Sequence, residues 1–444
     1  MIVMMGRQSG QIAFEVIDID AMVPKNHLLR KIQLSLQFNF IYEEAQDLYA
    51  QTGRPSIDPV LLVKMLLIGY LYGIKSERRL EEEVNLNLAY RWFCNLNVSD
   101  RVPDHSTFSQ NRKRRFDQSG VFKDVFSGIL QQCITLGLVT GECTVGDGSY
   151  LPANVSSYSQ VKLHETVKRG MQSYLSALDE ELEKEPGFRK VEERTQSIHR
   201  TTSQTDPDCG QIHHGKKSGL GYLVETTVDC GHGIITGVDT YSANQKESSV
   251  CLRGIEKQIK QGIPLKRIAL DRGYDVSAVH RGLELLGIKG FIPPVNFTNS
   301  PEKSGFQYVA EDDEFICPEG HRLSYEKLYC VQSTGNYLRY YKSKEEDCEA
   351  CPRKRTCIKK LKSRRIIGGS FYPASARNRI RAESLEMKFM MKLRQIWAEG
   401  TYAVLKREHC LQSIRKRGIL RAREECLLSA TALNMKRAVM ALGV

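Results

Sequence analysis

Three carboxylates sit where they could act together on a phosphate ester. Asp147 closes the β-prone approach within Thr144–Asn154, TVGDGSYLPAN, and is followed at once by Gly148 and Ser149. Asp271 follows the short apolar strand Arg267–Leu270 and opens DRGYD, while Glu399 lies in a long helical segment. A carboxylate at the end of a buried strand costs free energy unless a cation or a donor meets it. By itself, an Asp-Gly pair is ordinary turn chemistry. Two strand-end aspartates and a helical glutamate, far apart in sequence, can instead converge on two divalent ions, for which Mg²⁺ or Mn²⁺ suits the oxygen donors. Paired ions clamp the attacking and leaving oxygens of a phosphoryl transfer. Lys406 lies two helical turns beyond Glu399, on the same face, where it can hold the phosphate. Of the rival carboxylates, Asp275 reads as a helix cap, Asp229 as a solvated turn residue and Asp239 as a strand residue of either face. Glu225 alternates with Val224 and Thr226, which points it outward.

The elements around these residues read as α/β. A helix over 122–136 leads to the strand ending at Asp147, and a hairpin follows: Gly221–Asp229 and Ile234–Tyr241 around Cys230–Gly233. A helix over 245–261, the strand before Asp271, a helix over 277–286 and a strand over 289–293 complete the pattern, in which ligands gather at strand ends. Residues 1 to about 130 read as helical. Asp58 caps a helix with Pro59 at its first position, which runs to Gly73; a second starts at Ser76 and continues toward Trp92 and Phe93. Asp104 caps a third, HSTFSQNRKRRF, whose Arg112, Lys113 and Arg114 would suit a helix-turn-helix element in a duplex groove, or equally a plain bundle with a basic surface. Residues 158–208 turn polar and read as an exposed helix and a mobile connection. From about 296 to 365 the pattern is irregular. Ser375 can cap the last long helix, through Ile380, Leu385, Phe389, Leu393 and Trp397.

Composition limits the classes of function. At 444 residues, 41% hydrophobic and 26% charged, the chain is globular and large enough for two or three domains. Its net charge of +12 and pI near 9.0 suit a phosphate-covered partner. From Lys406 onward nine Lys/Arg, among them Arg407, Arg415, Lys416 and Arg417, face three Glu, and Arg353–Arg365 holds eight basic residues and no acid. These clusters are the expected footprint on a nucleic acid. The N-terminal stretch reads as no secretory signal, and Val60–Ile74, which carries Lys64, is short of the roughly twenty apolar residues of a membrane span. A cytoplasmic, nucleoid-associated protein is therefore expected. Thirteen scattered cysteines do not form a secreted disulfide framework. Four of them, Cys317, Cys348, Cys351 and Cys357, include a C-x-x-C pair suited to structural Zn²⁺, with His321 as a possible substitute ligand; free thiols in a loop are the alternative. His213 and His214 read as an exposed pair.

Taken in order, RPSIDPVLLVKMLLIGYLYGIKSERRLEEEV, RWFCNL, VPDHSTFSQNRKR, GDGSYLPAN, SQTDPD, ALDRGYD and AEGTYAVLKREHCLQSIRKRG resemble a bacterial insertion-sequence transposase of the DDE type over nearly the whole chain. The resemblance implies an RNase H-like α/β catalytic core with an N-terminal helical DNA-binding domain. It matches Asp147, Asp271 and Glu399 to the catalytic, metal-binding carboxylates and Lys406 to the basic residue that follows them. Some relatives carry an arginine four residues before the glutamate, where this chain has Gln395 beside Arg394. The implied division is 1–130 helical and DNA-binding, 140–295 the first part of the core, 296–365 a Cys-rich insertion, and 366–444 the helical completion with a basic tail. Two element ends must meet, so the resemblance also implies a homodimer on double-stranded DNA, at terminal inverted repeats and at a target. A nuclease without strand transfer, or a catalytically silent DNA-binding regulator, remains the alternative.

Overall fold

The structure, a computed structural model, describes residues 17–50, 52, 56–116, 119–169, 171–212, 218–295, 301–358 and 361–444. His213 and His214, with Lys359 and Lys360 of the second basic cluster, lie outside the described residues.

The helical N-terminal region forms as the capping residues dictate. Asp58 accepts from the Val60 and Leu61 amides at 2.7 and 3.2 Å and starts the helix Pro59–Leu71. Ser76 caps Glu77–Leu86, where the expected continuation stops because Asn87 ends that helix and caps the next, Leu88–Phe93. Asp104 caps His105–Asn111. The Pro59–Leu71 helix is buried almost all round, including Lys64, whose ammonium donates to Gln33 Oε1 and Phe93 O at 2.8 and 2.9 Å. Its burial comes from the C-terminal helix Ile419–Leu442, which also packs on the helix Val121–Thr135.

The central sheet has six strands. In chain order the strands are β1 (Thr144–Pro152), β2 (Gln160–Arg169), β3 (Arg194–Ser203), β4 (Gly210–Gln211), β5 (Leu220–Asp229), β6 (Ile235–Ser242), β7 (Arg267–Ala269) and β8 (Lys289–Phe291). β6, β5 and β1 run as antiparallel neighbours, and β7 and β8 add to β1 in parallel, with β4 on the start of β5. Two helices, Glu247–Lys260 and Ser277–Leu285, make the crossovers. Asp147 is not at a strand end: β1 runs on to Pro152 in unbroken register with β5, so the Asp-Gly pair is strand rather than turn.

Two stretches differ from their sequence reading. Within 158–208 the expected helix is present as Ser176–Glu183, but the residues on either side of it are not a mobile connection: β2 and β3 form a two-stranded ribbon of ten residue pairs. Residues 307–369 are not irregular but fold into an antiparallel sheet, ordered β13 (Arg365–Gly369), β12 (Asn336–Ser343), β11 (Arg322–Val331), β10 (Glu314–Ile316), β9 (Gln307–Val309). The last long helix is also three. Ser375 is inside Tyr372–Arg381, Ser384 caps Leu385–Arg394, and Gly400–Glu408 follows a π turn, Gln395–Glu399.

Candidate active site

Strand β1, the turn after β7 and the π turn between the helices Leu385–Arg394 and Gly400–Glu408 bring the three sequence-predicted carboxylates around one cation. Arg394 Nη2 is 2.7 Å from Asp147 Oδ1 and 3.9 Å from Asp271 Oδ2, and Arg394 Nη1 is 3.3 Å from Glu399 Oε1. The guanidinium and Asp147 are largely buried (14% and 16% side-chain exposure), whereas Glu399 is open at 57%, so the pull on Asp147 is the least screened of the three.

The π turn explains how Arg394 reaches its place. In an α-helix, residues three and four apart share a face; a π turn bonds i to i+5 and takes up one extra residue. Arg394, five residues before Glu399, thereby faces it. The departure noted in the sequence, Gln395 standing four residues before the glutamate, is absorbed by this turn. Trp397 in the turn packs against Gly233, where a Cβ would come within 2.2 Å of its ring and where φ is +74°.

Asp271 follows β7 and accepts from the Gly273 amide at 2.7 Å, which fixes it at the start of the 3₁₀ turn Arg272–Tyr274. Asp147 is held from behind. The buried Tyr402 hydroxyl reaches Val224 O at 2.5 Å and Asp147 O at 3.2 Å, pinning the helix after Glu399 to β1 and β5. Lys406 is brought to the site as its spacing predicts: its Nζ donates to Ser149 Oγ at 2.8 Å, two residues along β1 from Asp147 and on the same face.

Two further carboxylates join the cluster that sequence reasoning did not assign. Glu225 does not point outward; Oε2 accepts from the buried Tyr274 hydroxyl at 2.7 Å, and Oε1 is buried without a partner. Glu247, the first residue of its helix, stands beside it: a Cβ at Gly148 would lie 2.7 Å from both Glu225 Oε1 and Glu247 Cγ, so only glycine fits there. Burial raises the Asp147 carboxyl above its usual range against the opposing pull of Arg394. Burial, with the charges of Asp271 and Asp147, raises Glu247 to about 7. Burial also holds Glu225 well above the carboxylate range, with Glu247, Asp147 and Asp271 adding to it and Tyr274 opposing. The site is therefore a dense acidic patch with one internal counter-charge.

Of the rivals, Asp275 and Asp239 fall as they were read, a structural residue and a strand residue, and Asp229 does not. Asp275 is structural, bound to His280 Nε2 and the Val295 amide at 2.7 Å each. Asp229 is buried rather than solvated and accepts from the Gly141 and Gly231 amides. Asp239 pairs with Lys257.

The basic residues predicted for nucleic acid divide into two groups. Lys113, Arg114, Arg407 and Arg417 are exposed. Arg112 is buried against Glu77 at 2.6 Å, and Arg415 is half-buried with its guanidinium on Tyr70 and its amide on Glu425. Arg112, Lys113, Arg415, Lys416 and Arg417 nevertheless line one cleft with Asn154, where the N-terminal helices meet the chain before the last helix.

Of the thiols, Cys348 Sγ lies 2.9 Å from Ser343 Oγ. Burial raises Cys357, with smaller contributions from Cys348, Cys351 and Cys317 nearby; His321 faces Asp347 at 3.5 Å. Among the described residues, no three His, Cys, Asp or Glu side chains are gathered closely enough to hold a metal ion, at these thiols or at the carboxylates, where Arg394 stands between them. No described helix is long and apolar enough to cross a membrane.

Two family models match the chain. Residues 17–114 match a transposase domain (DUF772), and residues 316–439 match a transposase DDE domain. The second includes Glu399, Arg394 and Lys406, whereas Asp147 and Asp271 lie between the two matches. Among functionally curated proteins none matches. Of solved structures, a cryo-EM piggyBac transposase synaptic complex with hairpin DNA aligns at 11% identity, over 93% of this chain and 75% of that one, with a TM-score of 0.36. A Mos1 transposase paired-end complex with the left transposon end aligns at 10% identity, over 57% and 63%, with a TM-score of 0.17. Likeness at that level carries no detail of the site.

Proposed function

Because the chain is a transposase of the DDE type, we propose that it hydrolyses a phosphodiester at each end of its own insertion sequence and joins the freed 3′ hydroxyls to target DNA. The observation that carries this reading is the convergence of Asp147, Asp271 and Glu399 on Arg394. Three carboxylates that already face one cationic centre, with a buried Glu225 oxygen lacking any partner beside them, are a donor set that fits hard divalent ions. Asp147, Asp271 and Glu399 would hold two Mg²⁺ or Mn²⁺ ions. Such ions, when bound, supply Lewis acidity to the attacking and leaving oxygens.

The chain's own residues do the rest. Tyr402 fixes the backbone beneath Asp147, and Arg394 limits the mutual repulsion of the carboxylates. Lys406, steadied by Ser149, holds a phosphate against the acidic patch. In the first step water displaces the 3′ oxygen of the phosphodiester, which leaves as a hydroxyl. That hydroxyl then attacks a target phosphodiester in the same site and displaces a second 3′ oxygen. Neither step needs a covalent protein intermediate. Under the same reading the sheet β6–β5–β1–β7–β8 with its crossover helices is an RNase H-like core, and 1–130 is the DNA-binding region. Arg112, Lys113, Arg114, Arg407, Arg415, Lys416 and Arg417 meet the DNA backbone, and a homodimer joins two ends in the cytoplasm. Cys317, Cys348, Cys351 and Cys357 would draw together on structural Zn²⁺, testable by metal content of the purified protein and its loss in Cys351→Ser.

The deciding experiment is cleavage and joining of labelled duplexes carrying the element ends, with Mg²⁺, by the intact protein and by Asp147→Asn. Cleaved and joined products from the intact protein alone are expected. Cleavage without joining would leave a nuclease, and specific binding without divalent-dependent cleavage would leave a regulator.

A further inference from the structure

The ribbon β2–β3 belongs to neither sheet and takes no part in the site described above. Its strands pair only with each other in a sheet of two. A lone pair of strands is marginally stable in water, yet here both ends are tied down. At one end Ser159 and Ser203 share a hydroxyl contact at 2.8 Å, and the loop after β3 is locked by Asp206, which accepts from Tyr222 OH at 2.7 Å and the Gly418 amide at 3.1 Å. Beyond the other end, Leu178, Leu182 and Val191 pack into the core cluster that contains Leu252 and Tyr337. Between these anchors residues 162–167 and their partners 196–201 are exposed or half-buried, whereas Thr202 and Ser203 at the root are buried, so the open stretch spans about 20 Å, six residues at ~3.3 Å each. That is more than half of one turn of duplex, ~34 Å.

Its two faces differ. On one, the alternate pairs are Lys162–Thr201, His164–His199 and Thr166–Ser197, with the two imidazoles in edge contact at 4.0 Å. No acidic residue stands on that face. The sole carboxylate of the two strands, Glu165, is on the other, paired with Arg200 at 3.0 Å. The root of the ribbon also adjoins the basic cleft. Asn154, which lines it, donates to Arg415 O at 2.7 Å and accepts from Arg417 Nε at 3.1 Å. A surface rich in donors thus runs from the cleft, where Glu77 is the carboxylate and is paired with Arg112 and Lys416, onto the acid-free face of the ribbon.

We propose that this face of β2–β3 is a second duplex-binding surface, lying along a DNA groove with Lys162, His164 and His199 against the flanking phosphates. A two-stranded ribbon has the width for a major groove, and the charge is complementary. The inference rests on the transposase reading, since it supplies DNA as the partner. Because β2 begins eight residues after the end of β1, DNA held there is fixed relative to Asp147.

The test is duplex binding by the full chain across a salt series, for the intact protein, Lys162→Gln and His164→Ala/His199→Ala, with thermal unfolding as a control on these exposed positions. Each variant is expected to bind several-fold more weakly at unchanged melting temperature. For Lys162→Gln the slope of log K against log salt should fall by about 0.9, as for one lost phosphate contact. Unchanged affinity and slope, while the intact protein binds, would overturn the inference and leave the ribbon as a strap. Variants that bind DNA normally but no longer self-associate in sedimentation would overturn it in favour of a second copy. An intact protein that binds no duplex would overturn the transposase reading itself.

Discussion

At the scale of single residues, Arg394 is where the site's electrostatics close. It faces three carboxylates, and its tightest partner, Asp147, is as sheltered as itself. Breaking a sheltered pair leaves an uncompensated charge, so Arg394→Gln is expected to destabilise the protein by about 2 kcal/mol in chelator, less than a fully buried pair because Glu399 is open to water. Added Mg²⁺ should raise the melting temperature of the variant more than that of the parent, since it replaces the missing positive charge. Equal shifts would show that the guanidinium does not neutralise this cluster. Glu247 gives a pH test of the same patch. Its folded pKa of about 7 lies above the usual 4.5, so the folded state favours the protonated form. Its contribution to stability is intact below pH 4.5 and is lost as pH rises through 7. In metal-free buffer Glu247→Gln should match the parent at pH 4.5 and exceed it at pH 8, by on the order of 2 kcal/mol. Asp147, Asp271, Glu399 and Lys406 were legible in the sequence because each follows an apolar run or a helical spacing. Glu225 and Glu247 were not. Alternation assigns a side chain to one face of a strand, but both faces of this sheet are covered, so the outward face of Glu225 is interior too.

At the scale of elements, the π turn Gln395–Glu399 and the hairpin turn before β6 depend on each other. Trp397 fits only because position 233 has no side chain, and its φ of +74° also favours glycine. Gly233→Ala is therefore expected to cost about 1–3 kcal/mol, and to lower cleavage more than stability alone explains, because Trp397 shares its turn with Glu399. In a Trp92→Phe background, leaving Trp397 as the only tryptophan, the fluorescence maximum should shift on this substitution; an unchanged spectrum with normal cleavage would separate the turn from the site. Legibility varied with the kind of signal. Helix starts were read correctly at Asp58, Ser76 and Asp104, each of which caps its helix through its side chain. One was missed at Asn87, which ends one helix and caps the next without a gap, and one was misread where the wrong serine was chosen, Ser375 in place of Ser384. β2 and β3 were hidden by composition: their Lys, Glu, Gln, Ser and Thr suit a solvated helix, although Val161, Leu163, Glu165 and Val167 recur with the period of a strand. The strands of 307–369 were missed because three of the five are five residues or shorter, too brief for a period to show.

At the scale of the whole molecule, the helix Ile419–Leu442 joins what the sequence divides. Its basic approach reads as a surface tail, but from Ala422 to Val439 it is mostly buried, between the helices Pro59–Leu71 and Val121–Thr135 and strand β6. Alanines, serine and threonine along it allow close approach. Asn434 sews it to the sheet, with Oδ1 accepting from the Ile235 amide at 2.7 Å and Nδ2 donating to Ile235 O at 2.8 Å. Replacing it by Ala strands two buried backbone groups, so Asn434→Ala should cost about 2–4 kcal/mol in global unfolding. The Pro59–Leu71 helix is apolar on every side, as a helix is when it has neighbours all round, and one of those neighbours is some 350 residues away in sequence. Sequence periodicity reports which face of a helix is apolar but not what covers it, so the helical region looked self-contained. Residues 17–130 made alone would expose that face to water. They are accordingly expected to show helical content without a cooperative melting transition, and to bind apolar dye. A sharp, dye-free transition would instead mean that the N-terminal region keeps its own core, with the long helix only docked upon it.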